Sequence, residues 1–227
     1  MDQKLTAVEL FKRIPKHIGI IPDGNRRWAV SNHLEKQDGY AHGIDPGFRL
    51  YQLLLEYGIR EATFYGFTKD NTGRPSIQTQ AYVKACVDAV EKLSNKDANL
   101  LVVGKTRSKV FPDELRPYAN HRVTFGKGLI NINFLVNYDW EWDLASSGEH
   151  NKNIGDKHIS KTIASRDISR IDLIIRWGGR TRLSGFLPVQ SVYSDFCVID
   201  DYWPDFKEEH FIDALRYYQD CDPTLGG

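Results

Sequence analysis

The chain has only three cysteines, Cys86, Cys197 and Cys221, and no Cys-x-x-Cys or Cys/His spacing. That scarcity excludes a disulfide framework and a structural zinc site, and it fits a reducing, cytoplasmic setting. Net charge is also missing, since thirty basic residues offset thirty acidic ones. No global field draws such a chain to nucleic acid or to an anionic membrane, so any anion site must be concentrated locally. Nor is there an apolar run of membrane-spanning length. The segment Met1–Pro15 carries Asp2, Lys4, Glu9, Lys12 and Arg13 where a signal peptide needs an apolar core. At most a transient membrane contact is expected, to collect or release a greasy molecule.

What is present is a hydrophobic content of 41% over 227 residues, enough for one sizeable α/β domain spanning residues 1–227. Short β-branched runs alternate with amphipathic stretches, the pattern of a sheet covered by helices. Strands are expected at His17–Ile21, Ala62–Phe67, Leu100–Val103, Leu129–Val136, Asp172–Arg176 and Phe196–Ile199. Asp45-Pro46 opens a helix that ends near Gly58, with Leu50, Leu53, Leu54 and Tyr57 on its apolar face. Further helices are expected from about Ile77 to Leu93 and from about Phe206 to Tyr218. The polar stretch Ser146–Lys161 reads as a long loop.

After the apolar strand ending Ile20-Ile21 comes Pro22-Asp23-Gly24-Asn25-Arg26-Arg27-Trp28, a tight turn leading into a helix start. Outward backbone N–H groups and the two arginines favour phosphate oxygens there. Taken alone, Pro-Asp-Gly is as readily plain turn chemistry with Asp23 as a cap. Three other groups place polar side chains where a strand would end in a sheet enzyme: Thr68, Asn71 and Arg74 after Phe67; Arg176, Arg180, Arg182 and Ser184 around a Gly-Gly turn; and, further on, Asp195. Open α/β sheets bind ligands at the carboxyl ends of their strands.

The segments His17–Ala29, Phe67–Pro75, Asp172–Leu187 and Trp203–Phe206 resemble, in order and spacing, the motifs of the cis-prenyltransferases, the undecaprenyl diphosphate synthase family. The resemblance implies a homodimeric α/β enzyme with a six-stranded, mostly parallel sheet surrounded by helices, an apolar tunnel, and Mg²⁺ at the diphosphates. It places Asp23 at the family's essential aspartate, and Gly24, Asn25, Arg27 and Trp28 in its allylic-diphosphate loop, with Arg26 beside them. Asn71 and Arg74 match residues that assist ionisation, with Thr68 where Ser is usual. Arg176, Arg182 and Ser184 match the second diphosphate site, and Asp195 falls where a metal-proximal Glu is common.

Departures from the family pattern surround the acceptor. Tyr40 stands where a histidine is usual, Lys36 replaces Arg, Gln78 replaces Glu, Thr72 replaces Trp, and Arg180 replaces Glu. Tyr40 can donate to a phosphate but cannot supply an imidazolium charge. Asp139-Trp140-Glu141 replaces Gly-Gly-Arg, with Trp140 read as core filling or as a plug that shortens the tunnel. Asp38-Gly39-Tyr40-Ala41 resembles the lavandulyl and cyclolavandulyl diphosphate synthase branch. The expected activity is therefore transfer of an allylic prenyl group to a second isoprenoid diphosphate such as isopentenyl diphosphate. The alternatives are irregular head-to-middle coupling with dimethylallyl diphosphate as donor and acceptor, with or without cyclisation, and a non-catalytic subunit that supports an active partner.

Overall fold

The computed structural model describes residues 11–119, 121–150 and 159–221. β1 (His17–Ile21) is followed by α1 (Asn25–Ser31), α2 (Gly39–His42), α3 (Ile44–Glu56), β2 (Glu61–Tyr65), α4 (Ser76–Leu93) and β3 (Ala98–Val103). Next come β4 (Val123–Phe125), β5 (Ile130–Leu135), α5 (Trp140–His150), β6 (Leu173–Trp177), β7 (Asp195–Ile199) and α6 (Glu208–Asp220). The strands form one seven-stranded sheet in the order β4-β3-β5-β2-β1-β6-β7. All neighbours are parallel except β3 with β4.

The six expected strands are all present within one or two residues of their predicted ends. The seventh, β4, corrects the expected count. It is three residues long, antiparallel, and leaves its side chains partly solvated, so it carries neither the length nor the apolar run that marks the others.

All five residues of β1 and of β6 are buried, as parallel strands covered on both faces require. Ile18 and Ile20 join Leu50, Leu53 and Leu54 of α3, Val90 of α4 and Phe211 and Leu215 of α6 in one core. Ile21, Ile174, Phe186 and Leu187 form the core on the opposite face. Each such aliphatic side chain contributes roughly 1.5–3 kcal/mol on burial. The apolar stripe expected on α3 enters the first core, as do Phe211, Leu215 and Tyr218 of α6.

Ser146–Lys161 is corrected in part: its first residues continue α5 and its last form a 3₁₀ turn at Ile159–Lys161, while 151–158 lie outside the described residues. Among the described residues no helix is long and apolar enough to cross a membrane.

From β1 the chain builds outward through β2, β3 and β5 on one side, then crosses to β6 and β7 on the other. The carboxyl ends of β1 and β6 therefore flank the point where strand order reverses, the usual place for a ligand crevice.

The amino end of the sheet is closed by a buried polar network that carries no sequence motif. His17 Nε2 lies 2.8 Å from Thr63 Oγ1, and its Nδ1 donates to the Ser169 carbonyl at 3.0 Å. Ser169 Oγ donates to Glu61 Oε2 at 2.7 Å, and Asn133 Nδ2 donates to Glu61 Oε1 at 2.6 Å. Burial holds the His17 imidazole below its ordinary value of 6.5 despite the nearby Glu61 charge. Because the folded form disfavours the proton, its stabilisation is complete above the unfolded value and is lost as pH falls through the folded one. Thermal melts should accordingly drop progressively as pH is lowered below 6.5, and His17→Gln should flatten that dependence. An identical pH slope in the variant would assign the acid sensitivity elsewhere.

Candidate active site

β1 delivers the chain to the carboxyl edge at Ile21, and Pro22-Asp23-Gly24 turns it into α1. Gly24 has φ +101°, and a Cβ there would lie 2.7 Å from Cδ1 of Tyr202, so only glycine fits this turn. A Cβ on Gly39 of α2 would collide with the Asn25 carbonyl, so that glycine lets α2 pack directly on the loop. α1 has only seven residues and no side-chain cap. The anion-attracting character of the loop thus rests on its arginines more than on a helix dipole.

Asp23 is the hub. Its Oδ2 accepts from Arg176 Nη2 at 2.8 Å, its Oδ1 accepts from the Gly24 N–H at 2.6 Å, and Arg27 Nη2 lies 3.5 Å away. Burial works against its charge, but the hydrogen bond and charge of Arg176, joined by Gly24 and Arg27, outweigh it and hold the carboxyl below its ordinary 3.8. Asp23 is thus ionised at neutral pH.

Arg176, at the end of β6 and only 4% exposed, also donates through Nη1 to Ser184 Oγ at 3.0 Å and to the Arg182 carbonyl. Ser184 sits at φ 53°, held there by a 2.8 Å hydrogen bond from the Tyr65 hydroxyl to its carbonyl. Across the cleft, Asn71 Oδ1 accepts from the Thr68 N–H at 3.1 Å. Arg74 Nη1 donates to the Tyr40 hydroxyl at 2.9 Å, and Arg26 Nη1 donates to Gln78 Oε1 at 3.2 Å.

Except for Gln78, these residues line one cleft of about 910 Å³. Its wall carries Arg26, Arg27, Lys36, Arg74, Arg176, Arg180 and Arg182 against Asp23 and Asp70 alone. A chain with no net charge thus places seven of its thirty basic residues around one cleft. Of the other expected residues, Gly24, Asn25, Tyr40, Thr68, Asn71 and Ser184 also line it. A second, apolar cavity of about 110 Å³ lies next to it, under α3 and α4.

The fold does not gather every expected residue. Trp28 is not part of the cleft wall: its Nε1 donates to Asp205 at 2.7 Å and its ring lies 4.6 Å from that of His42, tying α1 to the Trp203–Asp205 turn. Asp195 opens β7 instead of following a strand, level with Leu173 and Ile18, and bonds Arg13 at 3.1 Å. In a parallel sheet that is the end opposite Asp23, so within one chain the two carboxylates cannot share a metal. Trp140 is neither core filling nor part of the apolar cavity. It is 43% exposed and lies over Gly185, where a Cβ would come within 2.6 Å of its ring.

Residues 21–226 match the model of the undecaprenyl diphosphate synthase family. The chain belongs to that family. Among its relatives, the isoprenyl transferase of Heliobacterium mobile is 30% identical over 95% of this chain and 88% of its own length. That of Bacillus subtilis (strain 168) is 29% identical over 99% and 93%. The (2E,6E)-farnesyl-diphosphate-specific ditrans,polycis-undecaprenyl-diphosphate synthase of Haemophilus ducreyi is 28% identical over 94% and 95%. In fold, the chain superimposes on lavandulyl diphosphate synthase from Lavandula x intermedia, solved in complex with dimethylallyl diphosphate. The TM-score is 0.81 at 21% identity, over 94% of this chain and 98% of that one. As a member of the family the chain is a prenyltransferase of isoprenoid biosynthesis.

Tyr65, Asp70, Tyr82 and Tyr202 also line this prenyltransferase cleft, and motif reading did not single them out. Tyr82 had a signal, since it lies one helical turn after Gln78 on α4. Tyr202 had none, because its place depends on how the loop after β7 folds back on Gly24.

Proposed function

We propose that the chain ionises an allylic prenyl diphosphate at Asp23, Asn71 and Arg74 and couples the prenyl group to isopentenyl diphosphate held by Arg176, Arg182 and Ser184. The observation that carries this reading is the single cleft in which these cations converge around Asp23. Two diphosphates need that concentration of positive charge, and the apolar cavity beside it is the place for a tail that extends past the cleft. Heterolysis sends the C–O electron pair to the departing diphosphate, where arginine donors stabilise the growing charge. The acceptor's double bond then supplies the pair for the new C–C bond. Its carbon loses a proton, which the released diphosphate can take.

Among the described residues no cluster of three metal-ligating side chains exists. Asp23, held ionised at the cleft, is the residue that would hold a magnesium ion beside the substrate phosphates. Bound there, the ion would supply Lewis-acid stabilisation of the leaving group. The assembly we favour is a homodimer, in keeping with the edge position of β7 and the exposed Val192 and Tyr193 beside it.

Irregular coupling of two dimethylallyl units is the second reading, favoured by the small volume of the apolar cavity, about 110 Å³ against the roughly 300–1,000 Å³ of a typical ligand pocket. Purified protein with Mg²⁺ and dimethylallyl, geranyl or farnesyl diphosphate, with and without isopentenyl diphosphate, should release diphosphate and yield a longer prenyl diphosphate by mass spectrometry. A branched product formed without isopentenyl diphosphate would select the second reading. No release from any donor would leave only the role of a supporting subunit.

A further inference from the structure

The polar cleft and the apolar cavity share five wall residues, Pro22, Asn25, Tyr40, Gly66 and Tyr82. Two of them form the partition. The rings of Tyr40 and Tyr82 stack at 4.4 Å with an interplanar angle of 4°. Tyr40 is 4% exposed, and its hydroxyl accepts from Arg74, a residue of the cleft wall. Tyr82 donates its hydroxyl to the Gly66 carbonyl at 2.7 Å, which fixes the inner ring to the end of β2. Behind the pair lie Phe48, Phe64, Cys86, Leu93 and Phe134, an almost wholly apolar lining.

We propose that the Tyr40–Tyr82 stack, latched by Arg74, is a door between the diphosphate cleft and the apolar cavity that selects the donor by the length of its prenyl tail. The inference rests on the reading of the cleft as a prenyl diphosphate site and deepens it. With the donor's head group held by Arg27 and Arg74 on the cleft wall, a one-unit tail would stay on the cleft side of the rings. A three-unit tail has to pass them, breaking the stack and at least one of the two hydroxyl hydrogen bonds. It then meets a cavity too small to return that cost in buried surface. The latch is itself one of the cleft's cations. A diphosphate that recruits Arg74 therefore loosens Tyr40, and the inner bond of Tyr82 to Gly66 remains as the hold on the door.

The test is binding of unreactive thiolo-diphosphate analogues of dimethylallyl, geranyl and farnesyl diphosphate, measured by calorimetry with Mg²⁺, so that turnover is not needed. Wild type should bind the dimethylallyl analogue at least about tenfold more tightly than the farnesyl one, within the range that a few methylenes in an apolar pocket decide. Tyr82→Leu and Tyr82→Ala should each shift that ratio about tenfold or more toward farnesyl. Tyr40→Phe, which keeps the ring and removes the latch, should shift it by less. The leucine variant keeps apolar volume should the alanine variant fold poorly. Equal affinity of wild type for short and long analogues, or an unchanged ratio in a folded Tyr82 variant, would overturn the door. Inorganic diphosphate separates the two levels. If it binds while the ratio stays unchanged, the door alone is wrong; if neither it nor any analogue binds, the prenyl diphosphate reading falls too.

Discussion

Asp23→Asn should lower kcat/KM for prenyl transfer by about 10²–10³-fold, because Asp23 orients Arg176 and Arg27, and misplacing a preorganised charge-stabilising donor costs on that order. The substitution keeps the shape and removes the charge. Both oxygens of Asp23 face donors, Arg176 on one and the Gly24 N–H with Arg27 on the other. The amide's own N–H must then point at one of them, so one contact becomes repulsive. A hydrogen bond to a charged group contributes about 1.5–3 kcal/mol, most of it expressed only when the partner is buried. Arg176 is buried, whereas Asp23 keeps about a third of its side chain exposed. We therefore expect a stability loss of about 1–2 kcal/mol, roughly 2–8 °C in melting temperature for a domain of this size. Diphosphate release and a thermal melt read the two effects separately. Turnover within about tenfold of wild type would reduce Asp23 to a counterion for Arg176.

The second large effect belongs to Arg176. Its Nη2 engages Asp23 while its Nη1 engages Ser184 and the Arg182 carbonyl, a fork that a single ammonium cannot reproduce. Arg176→Lys should cost about 10²-fold or more in kcat/KM, with a rise in KM for the acceptor diphosphate. Because the two residues act as one unit, adding Arg176→Lys to Asp23→Asn should cost little beyond the single changes. Strict additivity of the two losses would show that the pair seen in the free protein does not persist in the transition state.

Some of this was legible in the chain and some was not, for identifiable reasons. β1 and β6 announce themselves because a parallel strand covered on both faces carries apolar residues at consecutive positions, as Ile20-Ile21 and Leu173-Ile174-Ile175 do. α3 does so because Leu50, Leu53 and Leu54 repeat at the helical period. Asp195 misled because adjacency to a strand does not say which end of it: a residue before a parallel strand sits a full sheet width from one after it. Trp28 misled because its motif position is shared with residues that do face the cleft, while its own indole is taken by Asp205. The amino-end network and the Tyr40–Tyr82 stack depend on residues far apart in the chain, His17 with Ser169 and Tyr40 with Tyr82, whose meeting only the packed fold decides.

That amino-end network has a further consequence. The parallel sheet lays out a division of labour along its strands, with a polar clamp holding β1, β2 and β5 at one end and the cation-rich cleft at the other. A lineage could therefore exchange residues such as Tyr40, Gln78, Tyr82 or Arg180, and so drift between products, while the opposite end kept the strands in register.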